Sequence, residues 1–227
     1  MDAKSSGMPF ADSSTNPGVR GFLHRPTGTG QHGLVLAHGA GSNCQSPLLI
    51  ALAEEFAAAD FIVLRCDLPY RQARPYGPPR PGDAARDREG LRNAVRVVRN
   101  MVSGPIFLGG HSYGGRQATM LVAEDPPLAA GLLLLSYPLH PPGKPQQLRT
   151  QHFPEMRTPA LFAHGVMDPF GTIQEMTLAL KQIPAKVKLL PVAGGHDLGF
   201  KGKSRRKDLP SLLVAEFRNL TGLNDSV

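Results

Sequence analysis

Short apolar runs recur along this chain, at 33–38 (GLVLAH), 61–66 (FIVLRC), 105–109 (PIFLG), 130–136 (AGLLLLS), 159–164 (PALFAH) and 186–192 (KVKLLPV). Runs this short and apolar suit strands buried on both faces, and the amphipathic stretches between them are long enough for crossover helices. The alternation therefore predicts an α/β fold, a mostly parallel central sheet flanked by helices. A weaker strand is expected at 19–24, before the first of these runs. The clearest helix is at 84–102, where Leu91, Ala94, Val95, Val98 and Met101 mark one face and arginines occupy the other. Further helices are expected at 47–59, 113–124, 172–183 and 209–220. Asp208, ahead of Leu209 and Pro210, suits an N-cap followed by an early-turn proline.

Length bounds the organisation: 227 residues suffice for one large domain with a substantial core and are few for two. The expected division is a flexible lead-in over 1–17 and a single domain over 18–227. The first segment has no apolar core of a secretory signal, and no run approaches membrane-spanning length. Two cysteines, Cys44 and Cys66, are too few for a disulfide framework or a zinc site, so a cytoplasmic protein with reduced thiols is expected. A net charge of +7 raises the question of nucleic acid or an acidic membrane surface. Only 201–207 (KGKSRRK) clusters tightly, and it lacks the interleaved aromatics of a single-strand binder. A solvated loop is the expectation, with neither nucleic acid nor membrane as partner, and a monomer or homodimer as the form.

In open α/β sheets, ligands bind at the carboxyl ends of strands. Gly110-His111-Ser112-Tyr113-Gly114 matches G-x-S-x-G and falls between an expected strand and an expected helix, where the motif has a mechanism. A sharp turn lifts the hydroxyl out of the fold, and the following helix N-terminus favours developing negative charge. A serine hydroxyl needs a base to take its proton. Of eight histidines, His196 in VAGGHDLGF follows the last strand, where the base stands in this chain order. The acid must lie between them. Asp168 in FAHGVMDPFG follows a strand, whereas Asp197 adjoins the histidine and Asp125 lies at the far end of a helix. The oxyanion hole is expected from the backbone N–H of Tyr113 and of Ala40 in the HGAG run. His38 is expected to be a packed strand-end residue rather than a second base.

Taken in order, HGAG, GHSYGG, HGVMDPFG and GGHD make the chain resemble an α/β-hydrolase from about residue 18 onward. More narrowly, HGAGSN, RCDLPYR, GGHSYGGR and SYPLHPPGKP resemble the small α/β-hydrolase-like family of the testis-expressed and NSL-complex-subunit type, related to dienelactone hydrolases. The resemblance implies Ser112, Asp168 and His196 as a catalytic triad, and a minimal lid. Dienelactone hydrolases proper carry a cysteine nucleophile where Ser112 stands.

The expected activity is hydrolysis of an ester or related acyl bond of a small molecule through an acyl-enzyme, with no metal or organic cofactor. A non-catalytic interaction module on the same scaffold, or a thioesterase or small-peptide hydrolase, is the alternative. Two proline-rich connections, 68–82 and 137–145, are long enough to be functional. They carry Tyr70, Arg71, Tyr137, His140 and Lys144, which with Phe170 and Leu198 are the candidates to border the substrate pocket. Arg71 or Lys144 is a candidate contact for an anionic acyl group; solvation of the loops is the alternative.

Overall fold

The computed structural model describes residues 7–200 and 206–223. Eight strands form one sheet in the order β1-β2-β4-β3-β5-β6-β7-β8. In chain order they are β1 (Met8–Asp12), β2 (Val19–His24), β3 (His32–Ala37), β4 (Phe61–Cys66), β5 (Ile106–His111), β6 (Leu132–Leu135), β7 (Ala160–Gly165) and β8 (Val187–Val192). The strands from β4 across to β8 run parallel, and β1 and β2 pair antiparallel at one side.

The helices are α1 (Pro47–Ala58), α2 (Pro69–Ala73), α3 (Asp83–Arg99), α4 (Tyr113–Glu124), α5 (Ile173–Leu180) and α6 (Leu209–Thr221). Strand residues alternate between two apolar layers, as the two-residue period of a strand requires. Val35, Leu132 and Leu134 face the layer completed by α3, α4 and α5, while Leu34, Leu36, Leu133 and Leu135 face α1 and α6. The face expected of α3 is the buried one, through Leu91, Ala94, Val95 and Val98.

Three expectations need correction. Residues 8–12, placed in the flexible lead-in, form β1, because they pair with β2 and lay Phe10 against the core. Asp208 occupies the N-cap position of α6 but makes no side-chain cap, since its carboxylate pairs with Arg206. The connection expected over 68–82 contains the short α2. Both edge strands contain a proline, Pro9 in β1 and Pro191 in β8, where a missing N–H interrupts no internal ladder. The basic run 201–207 lies outside the described residues except at Arg206 and Lys207. Among the described residues, no helix is long and apolar enough to cross a membrane.

The chain leaves β3 through α1 toward β4, then returns through α3 to β5 on the other side of β3. A crevice opens where strand order reverses in this way, at the carboxyl ends of β3 and β5.

Candidate active site

Ser112 stands between β5 and α4 with φ +51° and ψ −114°, a backbone conformation that a non-glycine residue adopts only under constraint. The constraint is close packing. A Cβ at Gly114 would stand 2.6 Å from the carbonyl oxygen of His38, so only glycine lets α4 start this near to β3.

The loops after β7 and β8 bring the other two side chains to it. Ser112 Oγ lies 2.8 Å from His196 Nε2, and His196 Nδ1 lies 2.8 Å from Asp168 Oδ2. Asp168 is buried, and its other oxygen accepts the Phe170 N–H at 2.9 Å. Burial alone would raise this carboxyl, but the His196 hydrogen bond and ring, the Phe170 N–H and nearby His164 hold it below the ordinary carboxylate value. An ionised acceptor keeps the proton of His196 on Nδ1 and leaves Nε2 free to take one from the serine. The Phe170 ring packs on the imidazole with centroids 4.3 Å apart and fixes its plane.

The loop after β3 carries Gly39 and Ala40. Among the described residues, neither the Ala40 N–H nor the Tyr113 N–H donates a hydrogen bond to the protein. The carbonyl of Ala40 is held in turn by Tyr70 Oη at 2.9 Å and Arg71 Nη2 at 3.1 Å. His38 is fully buried, with Nδ1–H donating to the Gly39 carbonyl at 2.9 Å and Nε2 accepting from the Leu68 N–H at 3.1 Å. Its ring is thereby occupied with backbone, as expected of a packed strand-end residue.

A cavity of about 410 Å³ opens over Ser112. Its walls are the Gly39–Ser42 turn, the start of α1 at Ser46, Pro47 and Leu48, and His111, Phe170, Asp197 and Phe200. Of the residues expected to border the pocket, Phe170 does so and six do not. Tyr70 is buried beneath the Ala40 turn. Arg71 directs its guanidinium to four carbonyls, those of Ala40, Ser42, Arg74 and Gly77. Tyr137 is buried with its hydroxyl on the Arg149 carbonyl at 2.6 Å. His140 sits between the Pro141 carbonyl and Glu175. Lys144 is exposed on a turn, and Leu198 is fully buried in the α1 and α6 layer.

Two residues that sequence reasoning passed over support the site. Asp87 on α3 is fully buried and accepts both the Tyr70 N–H at 3.0 Å and the Tyr113 hydroxyl at 2.7 Å. It ties α3 to α2, whose Tyr70 holds the Ala40 carbonyl, and to the start of α4. Its signal was a carboxylate on a helix otherwise dominated by arginine, which is also what a solvated face looks like. The second is His111, whose place in G-x-S-x-G the motif leaves unspecified.

A family model described as an alpha/beta hydrolase domain matches residues 30–215. Among solved structures, an alpha-beta serine hydrolase homologue from Coxiella burnetii superposes with a TM-score of 0.73 at 19% identity, over 92% of this chain and 96% of that one. Dienelactone hydrolase from Anabaena variabilis gives 0.70 at 20% identity, over 94% and 98%. Est1E from Butyrivibrio proteoclasticus gives 0.73 at 16% identity, over 96% and 100%. At these identities the likeness is one of fold.

Proposed function

The chain belongs to the alpha/beta hydrolase domain family, and from that premise we propose that it cleaves an ester or related acyl bond of a small molecule through Ser112, His196 and Asp168. One observation carries the reading. The serine hydroxyl, the imidazole and the carboxylate form an unbroken relay of two 2.8 Å contacts on three separate strand-end loops. Packing alone gives no reason for that coincidence.

As Ser112 Oγ attacks the substrate carbonyl, its proton passes to His196 Nε2, and Asp168 stabilises the imidazolium that results. The carbonyl oxygen becomes an oxyanion facing the Ala40 N–H of the loop after β3 and the Tyr113 N–H at the start of α4, where the helix dipole adds to them. His196 then protonates the leaving group, and a water activated by the same ring hydrolyses the acyl-enzyme. The substrate's acyl or leaving group fits between Leu48, Pro47, Phe170 and Phe200, walls that suit an aliphatic or small aromatic group.

A fluorophosphonate probe tests the nucleophile directly. Folded protein should be labelled at Ser112, and Ser112→Ala should lose labelling together with about 10⁴- to 10⁶-fold of its p-nitrophenyl acetate hydrolysis. Full esterase activity in Ser112→Ala would remove the reading. Failure of folded wild-type protein to label would favour an interaction module on the same scaffold.

A further inference from the structure

Three loops from three strands must stay in register for the relay above to work, and the loop carrying the base is the loosest by composition. It reads Ala193-Gly194-Gly195-His196-Asp197-Leu198-Gly199, with Gly194 at φ +140° and Gly199 at φ +75°. Glycine widens the accessible backbone conformations, so the position of the imidazole depends on what holds this segment from outside.

His111 holds it. The residue immediately before the nucleophile extends its ring across to the base loop, and Nε2 lies 2.7 Å from the carbonyl oxygen of His196. A ring nitrogen facing a carbonyl must be the donor, so the proton sits on Nε2. The same ring reaches the oxyanion loop from below: a Cβ on residue 39 would stand 2.9 Å from His111 Nδ1 and 3.5 Å from the Ser112 Cβ. Gly39 has no positive φ, so the space taken by His111 and Ser112 accounts for the glycine there. One side chain therefore touches the base loop and the oxyanion loop while its own backbone belongs to the nucleophile turn.

We propose that His111 is a positioning residue that fixes the nucleophile, base and oxyanion loops in mutual register. The inference rests on the serine-hydrolase reading. The His111 ring is part of the cavity wall, but its hydrogen bond goes to backbone. Its hydrogen bond sets where the His196 backbone lies, and that placement sets the 2.8 Å approach of His196 Nε2 to Ser112 Oγ. Charge is consistent with the role. Burial pushes the His111 ring down to about 4, so it is neutral when the enzyme works. The centroids of the two rings are 5.1 Å apart, and a second cation at that distance would oppose the imidazolium that forms on His196.

Side-chain reach gives the test. His111→Gln keeps a donor at the distance of Nε2, whereas His111→Asn keeps polarity but is too short to meet the His196 carbonyl. Initial rates on p-nitrophenyl acetate should show kcat of His111→Asn down on the order of 10- to 100-fold, as expected for a small misplacement of the base, with KM little changed. His111→Gln should recover most of that loss. Gly39→Ala, which leaves the histidine in place but displaces its ring, should also lower kcat at constant KM; it provides the test if the Asn variant does not fold. Wild-type kcat in His111→Asn or in Gly39→Ala overturns the proposal, as does a folded His111→Gln as slow as His111→Asn. Ser112→Ala run alongside separates the two readings. An active Ser112→Ala removes the triad itself, whereas an inactive one beside an unimpaired His111→Asn removes only the positioning role.

Discussion

Two kinds of loop leave the carboxyl ends of this sheet, and they use polar side chains in opposite ways. In the loops after β5, β7 and β8, side chains meet side chains from other loops: Ser112 with His196, and His196 with Asp168. In the proline-rich connections after β4 and β6, side chains turn back on backbone. Arg71 satisfies four carbonyls, two in its own connection and two in the turn after β3, Tyr137 one and Arg149 one. The difference has a physical origin. Proline supplies a carbonyl but no N–H, so a proline-rich loop carries surplus acceptors that secondary structure cannot satisfy, and arginine, tyrosine and histidine provide the donors. Long polar side chains in such loops are therefore structural first, even beside an active site.

The largest expected effect falls on the catalytic side. Asp168→Asn keeps the shape of the site but replaces the acceptor that sets the His196 tautomer, and kcat should fall about 10⁴-fold with the fold intact. Circular dichroism and kcat together check it. Near wild-type turnover in a folded Asp168→Asn would mean that another group orients the base, and the contrast between reactive and structural loops would lose one of its members.

Arg71 tests the opposite side. Arg71→Ala removes hydrogen bonds to the Ala40 and Ser42 carbonyls, so the turn over 39–42 loosens. Stability should fall by about 2–3 kcal/mol, the scale of a charged donor lost from a partly buried site. Turnover should fall on the order of 10-fold for neutral and carboxylate-bearing esters alike. Selective loss on the carboxylate ester would show the guanidinium binding substrate after all. The Arg71 guanidinium turns to backbone carbonyls for a reason no local pattern reveals: the direction of an arginine depends on where unsatisfied carbonyls lie, and these belong to residues up to 31 positions away.

Much else was legible. The strands at 19–24 and 61–66 and the helix at 113–124 coincide with β2, β4 and α4 at both ends, because hydrophobic period is a local property. The meeting of Ser112, Asp168 and His196 side chains was legible because each follows a strand in sequence. β1 was not, because a five-residue edge strand containing Pro9 and flanked by polar residues has no distinctive period. The cavity walls were not either. Pro47, Leu48 and Phe200 have the appearance of core residues in sequence, and only the approach of α1 to the base loop opens a space between them.

A half-buried histidine also lies on each side of this divide, His111 at the end of β5 and His152 in the connection after β6, and acid should act on both. Burial pushes His111 down to about 4, and burial with the charges of Arg116 and Arg88 does the same to His152. Each folded-state value lies below the ordinary histidine value near 6.5, so between them the unfolded chain binds more protons than the folded one. The stability these neutral rings contribute is complete above about pH 6.5 and is lost progressively as pH falls toward 4. At pH 5 the loss is at most about 2 kcal/mol per histidine, reduced where the ring meets water. Urea unfolding at pH 7.5 and pH 5 should show a shallower decline in His152→Gln than in wild type. Equal declines would mean that the His152 ring is charged without cost.

The smallest effect sharpens the comparison most. Tyr137→Phe removes one hydroxyl, the donor to the Arg149 carbonyl, and leaves the buried ring packed against Phe153 and Phe162. Stability should drop by about 1 kcal/mol, because a single neutral hydrogen bond is lost and its acceptor is left partly buried. Turnover and KM on a neutral ester should stay at the wild-type level, since the hydroxyl serves the proline-rich loop and Tyr137 does not border the cavity. A fall in kcat at unchanged stability would place this hydroxyl in the chemistry and break the division between loops that act on substrate and loops that hold themselves.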